Sequence, residues 1–281
     1  MFIYRFISNI FLLLSPLIII FRIVKGKEDP IRFKERYGYS SLKRRKGKLI
    51  WFHCCSVGEL LSIIPLIEKL EKEKKINQIL VTTITTSAEK IIRSFSFKKT
   101  IHQYFPIDND YIIKRFLNFW DPHILFLCES EIWPNLIYRV SEKNTKLILL
   151  NARLTNKSFK KWKYVNNFSQ KIFKKFNICL TQNKETKKYL KNLGSKNIKS
   201  LGNLKFTFRK KFNTEKLDIK KTNFFKKKKI LLTAASTHDD EENFVLKSHL
   251  YFSKQKKIKN LVSIIIPRHI NRVNEINESA A

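Results

Sequence analysis

The sequence predicts an α/β protein whose main body is a doubly wound, Rossmann-like sheet. Short apolar or β-branched runs alternate with segments of helical periodicity from Lys48 to Leu204. Polar, chemistry-bearing residues recur directly after those runs, where an open parallel sheet places its sites. A second, shorter alternation begins at Ile230 and predicts a C-terminal α/β unit that is only partly present. A β-α-β piece of that size cannot bury both faces of its sheet.

The elements follow in chain order. From Phe6 to Phe21 no residue is charged, and Arg5, Arg22, Lys25 and Lys27 bound the stretch. About 20 apolar residues are needed to cross a bilayer, so the stretch is marginal, and Pro16 is expected to break its middle. A signal peptide is the alternative, but no small-x-small cleavage site follows. The expectation is a retained anchor over residues 1–27, monotopic or barely spanning. The flanking positive charge favours keeping the body in the cytoplasm. A basic linker follows.

Gly47–His53 reads as a buried strand. Leu60, Ile63, Ile64, Ile67 and Leu70 mark a helix face, with Pro65 predicting a kink or a late start. Ile79–Thr86 is a strand, Ala88–Phe95 a short helix and Ile101–Phe105 a strand. Tyr111–Trp120 is helical, Ile124–Cys128 a strand, and Trp133–Lys143 a helix with Pro134 in its first turn. Lys146–Leu150 is a strand, Ser158–Lys175 a basic helical region, Asn177–Thr181 a strand, and Glu185–Leu193 a helix closed by Gly194. Thr207–Lys228 is polar, lysine-rich and weakly patterned, so it reads as a linker. Ile230–Ala235, Asp239–Ser253 and Leu261–Ile266 form the second unit. There is no internal repeat.

Composition narrows the function. Of 281 residues, 57 are Lys or Arg and 23 are Asp or Glu, a formal net charge of +34. A hydrophobic share of 43% supports a packed core and excludes wholesale disorder. The charge suits nucleic-acid phosphates or an anionic membrane surface. The lysine runs are short and scattered, and no RNP-like aromatic motif accompanies them, so solvated faces explain most of it. Cys54, Cys55, Cys128 and Cys179 form no CxxC pair, which argues against a disulfide scaffold or a zinc ribbon. The six glycines are too scattered for a dinucleotide fingerprint or a P-loop.

The residues after the strands are the chemical candidates. In His53–Glu59, Glu59 lands at a helix start. It either complements the helix dipole or faces the cleft as a base for a hydroxyl, for which partial burial must raise its pKa. In Cys128–Asn135, Glu129 and Glu131 follow a buried strand at i, i+2. Capping by Ser130 is the structural alternative, and no histidine lies close in sequence to complete a metal site. Arg153, in Asn151–Leu154, either binds an anion or is solvated. Lys205 lies in Gly202–Phe206. Ser236–His238 and Pro267–His269 end the two strands of the second unit, where hydroxyls and Arg suit phosphate.

Seven stretches then stand in one order: RFKERYG (Arg32–Gly38), CSVGE (Cys55–Glu59), ESEIWPNL (Glu129–Leu136), NARL (Asn151–Leu154), GNLKF (Gly202–Phe206), STH (Ser236–His238) and PRH (Pro267–His269). Together they resemble the 3-deoxy-D-manno-octulosonic acid (Kdo) transferases of lipopolysaccharide synthesis, from the N-terminal anchor to about Glu275. The resemblance implies a GT-B fold of two facing α/β domains. Residues 28–206 would form the acceptor-binding domain, 207–228 the linker, and 229–281 a fragment of the nucleotide-sugar-binding domain. It implies transfer of Kdo from CMP-Kdo to the lipid A precursor, lipid IVA, with inversion and with neither metal nor cofactor. Glu59 matches the general base, Glu129 and Lys205 the pair that stabilises the transition state, and Pro267 and Arg268 the start of the CMP-binding segment.

The family continues through GGS and GGHNPLEA-type motifs, whereas no glycine follows Gly202 here. The resemblance therefore implies weak CMP-Kdo binding by this chain. A basic nucleic-acid-binding protein, or a non-catalytic membrane-associated remnant, are the alternatives. Within the transferase reading the partners are CMP-Kdo, the lipid acceptor and the membrane, with no nucleic acid.

Overall fold

The computed structural model describes residues 1–207, 230–254, 258, 260–269 and 272–280. It divides into two units, Met1–Arg209 and Lys210–Ala281. In the first, seven strands form one parallel sheet: β1 (Leu49–Cys54), β2 (Gln78–Thr83), β3 (Thr100–Tyr104), β4 (Ile124–Cys128), β5 (Lys146–Ala152), β6 (Ile178–Thr181) and β7 (Ile198–Ser200). Their order is β3-β2-β1-β4-β5-β6-β7. The chain winds outward from β1 to β3, then crosses back and winds the other way from β4. The reversal opens a crevice beyond the carboxyl ends of β1 and β4, where such sheets bind ligands.

Alternation along β1 builds both layers. Leu49 and Trp51 point into one core with Phe116, Trp120, Leu136 and Phe173. Ile50, Phe52 and Cys54 point into the other with Leu60, Ile63, Ile64 and Ile67. All six β1 residues are buried, as expected where helices cover both faces. The helices are α2 (Val57–Lys72), α3 (Thr86–Arg93), α4 (Asp110–Trp120), α5 (Pro134–Ser141), α6 (Asn156–Tyr164), α7 (Asn166–Phe173) and α8 (Lys184–Asn192). Ser56, Thr85, Asn109, Thr155 and Asn183 cap five of them with side-chain oxygens. Helix α2 starts at Val57 and runs through Pro65, so a late start there is corrected. The basic region Ser158–Lys175 is two helices, α6 and α7, that share Val165 as their boundary residue.

The N-terminal helix α1 (Phe2–Val24) is continuous through Pro16, which corrects the expected break. Proline lacks the N–H that would bond the Leu12 carbonyl. The Ser15 hydroxyl donates to that carbonyl instead, at 2.7 Å. The helix turns its polar stripe onto the body. Tyr4 Oη donates to Asp108 at 2.8 Å, Asn109 Nδ2 donates to Asn9 at 2.7 Å, Ser15 Oγ lies 3.1 Å from Tyr37 Oη, and Arg22 pairs with Glu28 at 2.9 Å. These contacts run nearly the whole length of the helix, so it lies along the body. Its outward face is apolar: Phe6, Leu13, Leu14, Leu17, Ile20 and Phe21 are all exposed.

The basic linker is also corrected. Phe33–Tyr37 is a 3-10 helix, with Glu35 and Arg36 buried. Arg36 forks onto Glu28 and donates to the carbonyls of Ile84 and Phe105. Glu35 accepts from the Tyr104 N–H at 2.7 Å and pairs with Arg32. Gly38 closes the turn at φ 79°, where a Cβ would sit 2.7 Å from the Ile112 carbonyl oxygen.

Among the described residues, the second unit is one β-α-β crossing plus a helix: β8 (Ile230–Thr237), α9 (Glu241–Lys254), β9 (Leu261–Pro267) and α10 (Val273–Ala280), with β8 parallel to β9. Of the expected linker Thr207–Lys228, all but Thr207 lies outside the described residues.

Candidate active site

Glu59 is placed by its own helix start. Ser56 is the N-cap of α2 and accepts from the Glu59 N–H at 3.4 Å. The Glu59 carboxylate reaches back, taking the Cys55 N–H at 2.8 Å and the Ser56 hydroxyl at 3.1 Å. This reciprocal arrangement resembles a capping box, with the Cys55 N–H in place of the N-cap residue's own, and it fixes the carboxylate at the carboxyl edge of β1. Helix-end and cleft-facing readings thus describe one geometry. Half-burial, with the charges of Glu131 and Glu129 nearby, pushes the Glu59 carboxyl up to about 7, although the Cys55 N–H and Ser56 hydroxyl oppose it. A Cβ on Gly58 would meet nothing within 4 Å, so the free space there lies open to a ligand.

Glu129 is buried at the end of β4 with φ 53°. Its backbone is locked on both sides: its N–H donates to the Leu150 carbonyl at 2.9 Å and its carbonyl accepts from the Arg153 N–H at 3.3 Å. The Lys205 ammonium lies 2.6 Å from Glu129 Oε1, an ion pair outside hydrogen-bond alignment. Asn151, at the end of β5 and also at φ 53°, holds the segment that carries Lys205. Its Oδ1 accepts from the Leu204 N–H at 3.0 Å and its Nδ2 reaches Asn203 Oδ1 at 3.4 Å. Asn203 Oδ1 in turn accepts from the Lys205 N–H at 3.0 Å. Arg153 beside it is exposed.

Glu131 lies between two rings, of which Trp133 alone hydrogen-bonds it. Trp133 Nε1 donates to its Oε2 at 2.9 Å, and Nε2 of the fully buried His53 stands 3.3 Å away. His53 Nδ1 lies 3.1 Å from Thr82 Oγ1, and its ring stacks on Phe105 with centroids 3.6 Å apart. Sequence reasoning quoted Glu131 but gave it no role, and it missed His53, Thr82 and the Asn151–Asn203 clamp. The alternation within β1 was the available signal for His53, the one basic residue in an otherwise apolar strand. Burial pushes the Cys55 thiol up to about 12, helped by Glu131 and Glu59, so it stays protonated at neutral pH.

Glu59, Glu129 and Lys205 all stand at the carboxyl edge of the first unit's sheet. Pro267 and Arg268 stand at the corresponding edge of the second unit. The Arg268 N–H donates to the Thr237 carbonyl at 3.0 Å, while its exposed guanidinium reaches Ser236 Oγ at 3.4 Å. His238 and His269 are exposed. Among the described residues no three His, Cys, Asp or Glu side chains gather as a metal site. The first unit therefore offers a carboxylate that gains and loses a proton near neutrality, beside a charged pair held in place by two asparagines.

Comparisons with known proteins agree with this architecture. Residues 31–208 match the family model for 3-deoxy-D-manno-octulosonic-acid transferase (Kdo transferase). A 3-deoxy-D-manno-octulosonic acid transferase of Rickettsia bellii is 36% identical over 97% of this chain, and one of Haemophilus influenzae is 29% identical over 96%. The chain spans 64% of the length of each. Among solved structures, UDP-GlcNAc 2-epimerase from Neisseria meningitidis, bound to UDP-GlcNAc, superposes with a TM-score of 0.58 at 13% identity, over 83% of this chain and 68% of that one. At that identity the likeness concerns the fold alone, which is GT-B-like α/β.

Proposed function

The chain belongs to the Kdo transferase family, and from that premise we propose that it carries the acceptor-side chemistry of Kdo transfer from CMP-Kdo to lipid IVA, with inversion. The acceptor hydroxyl oxygen forms the new bond to the anomeric carbon of Kdo. The bond from that carbon to the CMP phosphate breaks on the opposite face, and the hydroxyl proton passes to Glu59. Glu129 and Lys205 stabilise the charge that develops, and the departing CMP is held by the segment starting at Pro267 and Arg268. No metal or cofactor enters the reaction.

One observation carries the reading: a half-buried Glu59, raised to about 7, at the same sheet edge as the Glu129–Lys205 ion pair. A general base works best when its pKa lies near the operating pH. The outward apolar face of α1, with Arg22, Lys25 and Lys27 at its end, supports a place on the cytoplasmic face of the inner membrane. The helix is held along the body, so it would lie in the interface rather than cross it.

Mass spectrometry of lipid IVA incubated with CMP-Kdo tests the proposal. The chain is assayed alone and with a full-length relative's nucleotide-binding domain supplied in trans. Turnover is expected in at least one arm, and Glu59→Gln, which keeps the capping geometry, lowers it by about 10²–10⁴-fold. Near-wild-type turnover in the variant, or none in both arms, overturns the assignment.

A further inference from the structure

Between α1 and the body runs a partly open cavity of about 440 Å³. Phe11 and Ile18 of α1 form one wall, Ile84 and Ile107 the other, and Phe105 and Trp133 line it as well. Every polar group on its walls already has a partner within the protein. Tyr4 is bonded to Asp108, Ser15 to Leu12 and Tyr37, and both Arg22 and Arg36 to Glu28. The polar side chains on its walls are thus engaged within the protein, most of the lining is apolar, and an apolar chamber of this kind does not hold water well. Its size is that of a ligand pocket.

Two features say what fills it. The helix that forms its outer wall turns a continuous apolar face away from the protein, a surface suited to lipid chains. Basic residues stand at the end of that helix: Arg22 lines the cavity, and Lys25 and Lys27 are exposed beside it. An apolar trough with a basic end is complementary to an amphiphile of hydrocarbon tail and anionic head. The cavity also shares a wall with the candidate active site. The Trp133 indole that lines it donates to Glu131, and the Phe105 ring that lines it stacks on His53. Bulk phospholipid has no reason to lie against that wall, whereas a lipid acceptor does.

We infer that this cavity holds an acyl chain of the acceptor lipid and so registers the acceptor headgroup against Glu59. The inference rests on the transferase reading above. It assigns α1 a second task, since the helix that meets the bilayer also forms half of a substrate subsite.

Photo-crosslinking tests it. The 281-residue chain on phosphatidylethanolamine–phosphatidylglycerol vesicles is irradiated with lipid IVA carrying a diazirine on one acyl chain, and adducts are mapped by peptide mass spectrometry. Adducts are expected on Phe11, Ile84 and Ile107. Ile107→Trp, which fills the cavity from the body, should cut them by about tenfold, with vesicle co-sedimentation unchanged. Ile7→Trp fills it from α1, at a side chain that is 57% exposed, and guards against a folding defect in the first variant.

Adducts confined to outward residues such as Leu13 and Leu17 overturn the inference. So does equal labelling of the cavity by phosphatidylethanolamine bearing the same diazirine, which would assign it to bulk lipid. The transfer assay separates the two proposals. A labelled cavity without Kdo transfer removes the reaction and keeps the subsite, and transfer with an unlabelled cavity does the reverse.

Discussion

The chain builds parallel β-α-β crossings in both its units, on very different amounts of interior. In β1 all six residues are buried, between one core that contains Trp51 and another that contains Phe52. In β8, Ile230 is 54% and Leu231 44% exposed, and among its residues only Thr237 is buried. Both strands begin with apolar residues and both pair in parallel. Sequence pattern therefore sets the type of element, while burial on two faces sets how firmly it is held.

The largest effect comes from attacking each interior in turn. Phe116 is fully buried, with its ring centroid 4.8 Å from that of Trp51. Phe116→Ala removes an aromatic from a closed core and costs about 3–5 kcal/mol in urea unfolding of the first unit. Ile230→Ala, on an exposed strand, changes stability by less than about 1 kcal/mol. Amide hydrogen exchange reads both at once: β1 amides exchange only through global opening, and β8 amides through smaller openings. Equal protection of the two strands, or equal cost of the two substitutions, would break the contrast.

Legibility does not follow that division: the strands and first helix of the second unit fall where the sequence places them, and the misread segments lie in the first unit. The doubly wound body is readable because most of its strands are apolar runs followed by a helix-capping residue, as Phe52 to Ser56 and Val81 to Thr85 show. Strand β4 falls on Ile124–Cys128 as expected. Misread segments are those where tertiary partners override local signals. Pro16 reads as a break, yet the Ser15 hydroxyl bonds the carbonyl that proline leaves free. Arg32–Gly38 reads as a solvated linker, yet Glu28 and two backbone carbonyls draw Arg36 into the interior. At the site, Glu59 and Glu129 stand out as carboxylates that follow strands, while Lys205 and the roles of all three come from the family resemblance. The placement of Lys205 depends on Asn151 and Asn203, which are 52 residues apart, and no local pattern announces that contact.

A smaller effect separates the site from the rest of the first unit by pH. The Glu59 carboxyl is raised from 4.5 to about 7 by burial, then by Glu131 and Glu129. Between those values the folded state binds more protons than the unfolded one. Stability contributed by the protonated form is full below pH 4.5 and is lost as the pH rises through 7. Turnover has the opposite sign, because the base must be deprotonated, so the rate climbs through pH 7 to a plateau. Urea melts from pH 5 to 8 should therefore show Glu59→Gln gaining on the wild type as pH rises. A variant that tracks the wild type across that range would detach Glu59 from the raised titration.

The smallest effect returns to both units. Each places a non-glycine residue in the left-handed region at a strand's carboxyl end, Asn151 at φ 53° in the first and Ser236 at φ 64° in the second. Glycine at such a position relieves strain but makes the unfolded chain more flexible, and the two terms are each of order 1 kcal/mol. What remains is the side chain. Ser236 is exposed, and among the described residues its hydroxyl meets only the Arg268 guanidinium, at 3.4 Å. Ser236→Gly therefore leaves the second unit unchanged or more stable, by less than about 1 kcal/mol. Asn151 is buried and its amide anchors Leu204 and Asn203. Asparagine also tolerates this conformation better than serine does, so less strain is released. Asn151→Gly should cost about 1–2 kcal/mol, the net value of those bonds. It should also free Lys205 from Glu129, which 15N chemical shifts of the Lys205 ammonium would report. Loss of stability in both variants would mean that the second unit is held at its strand end as tightly as the first.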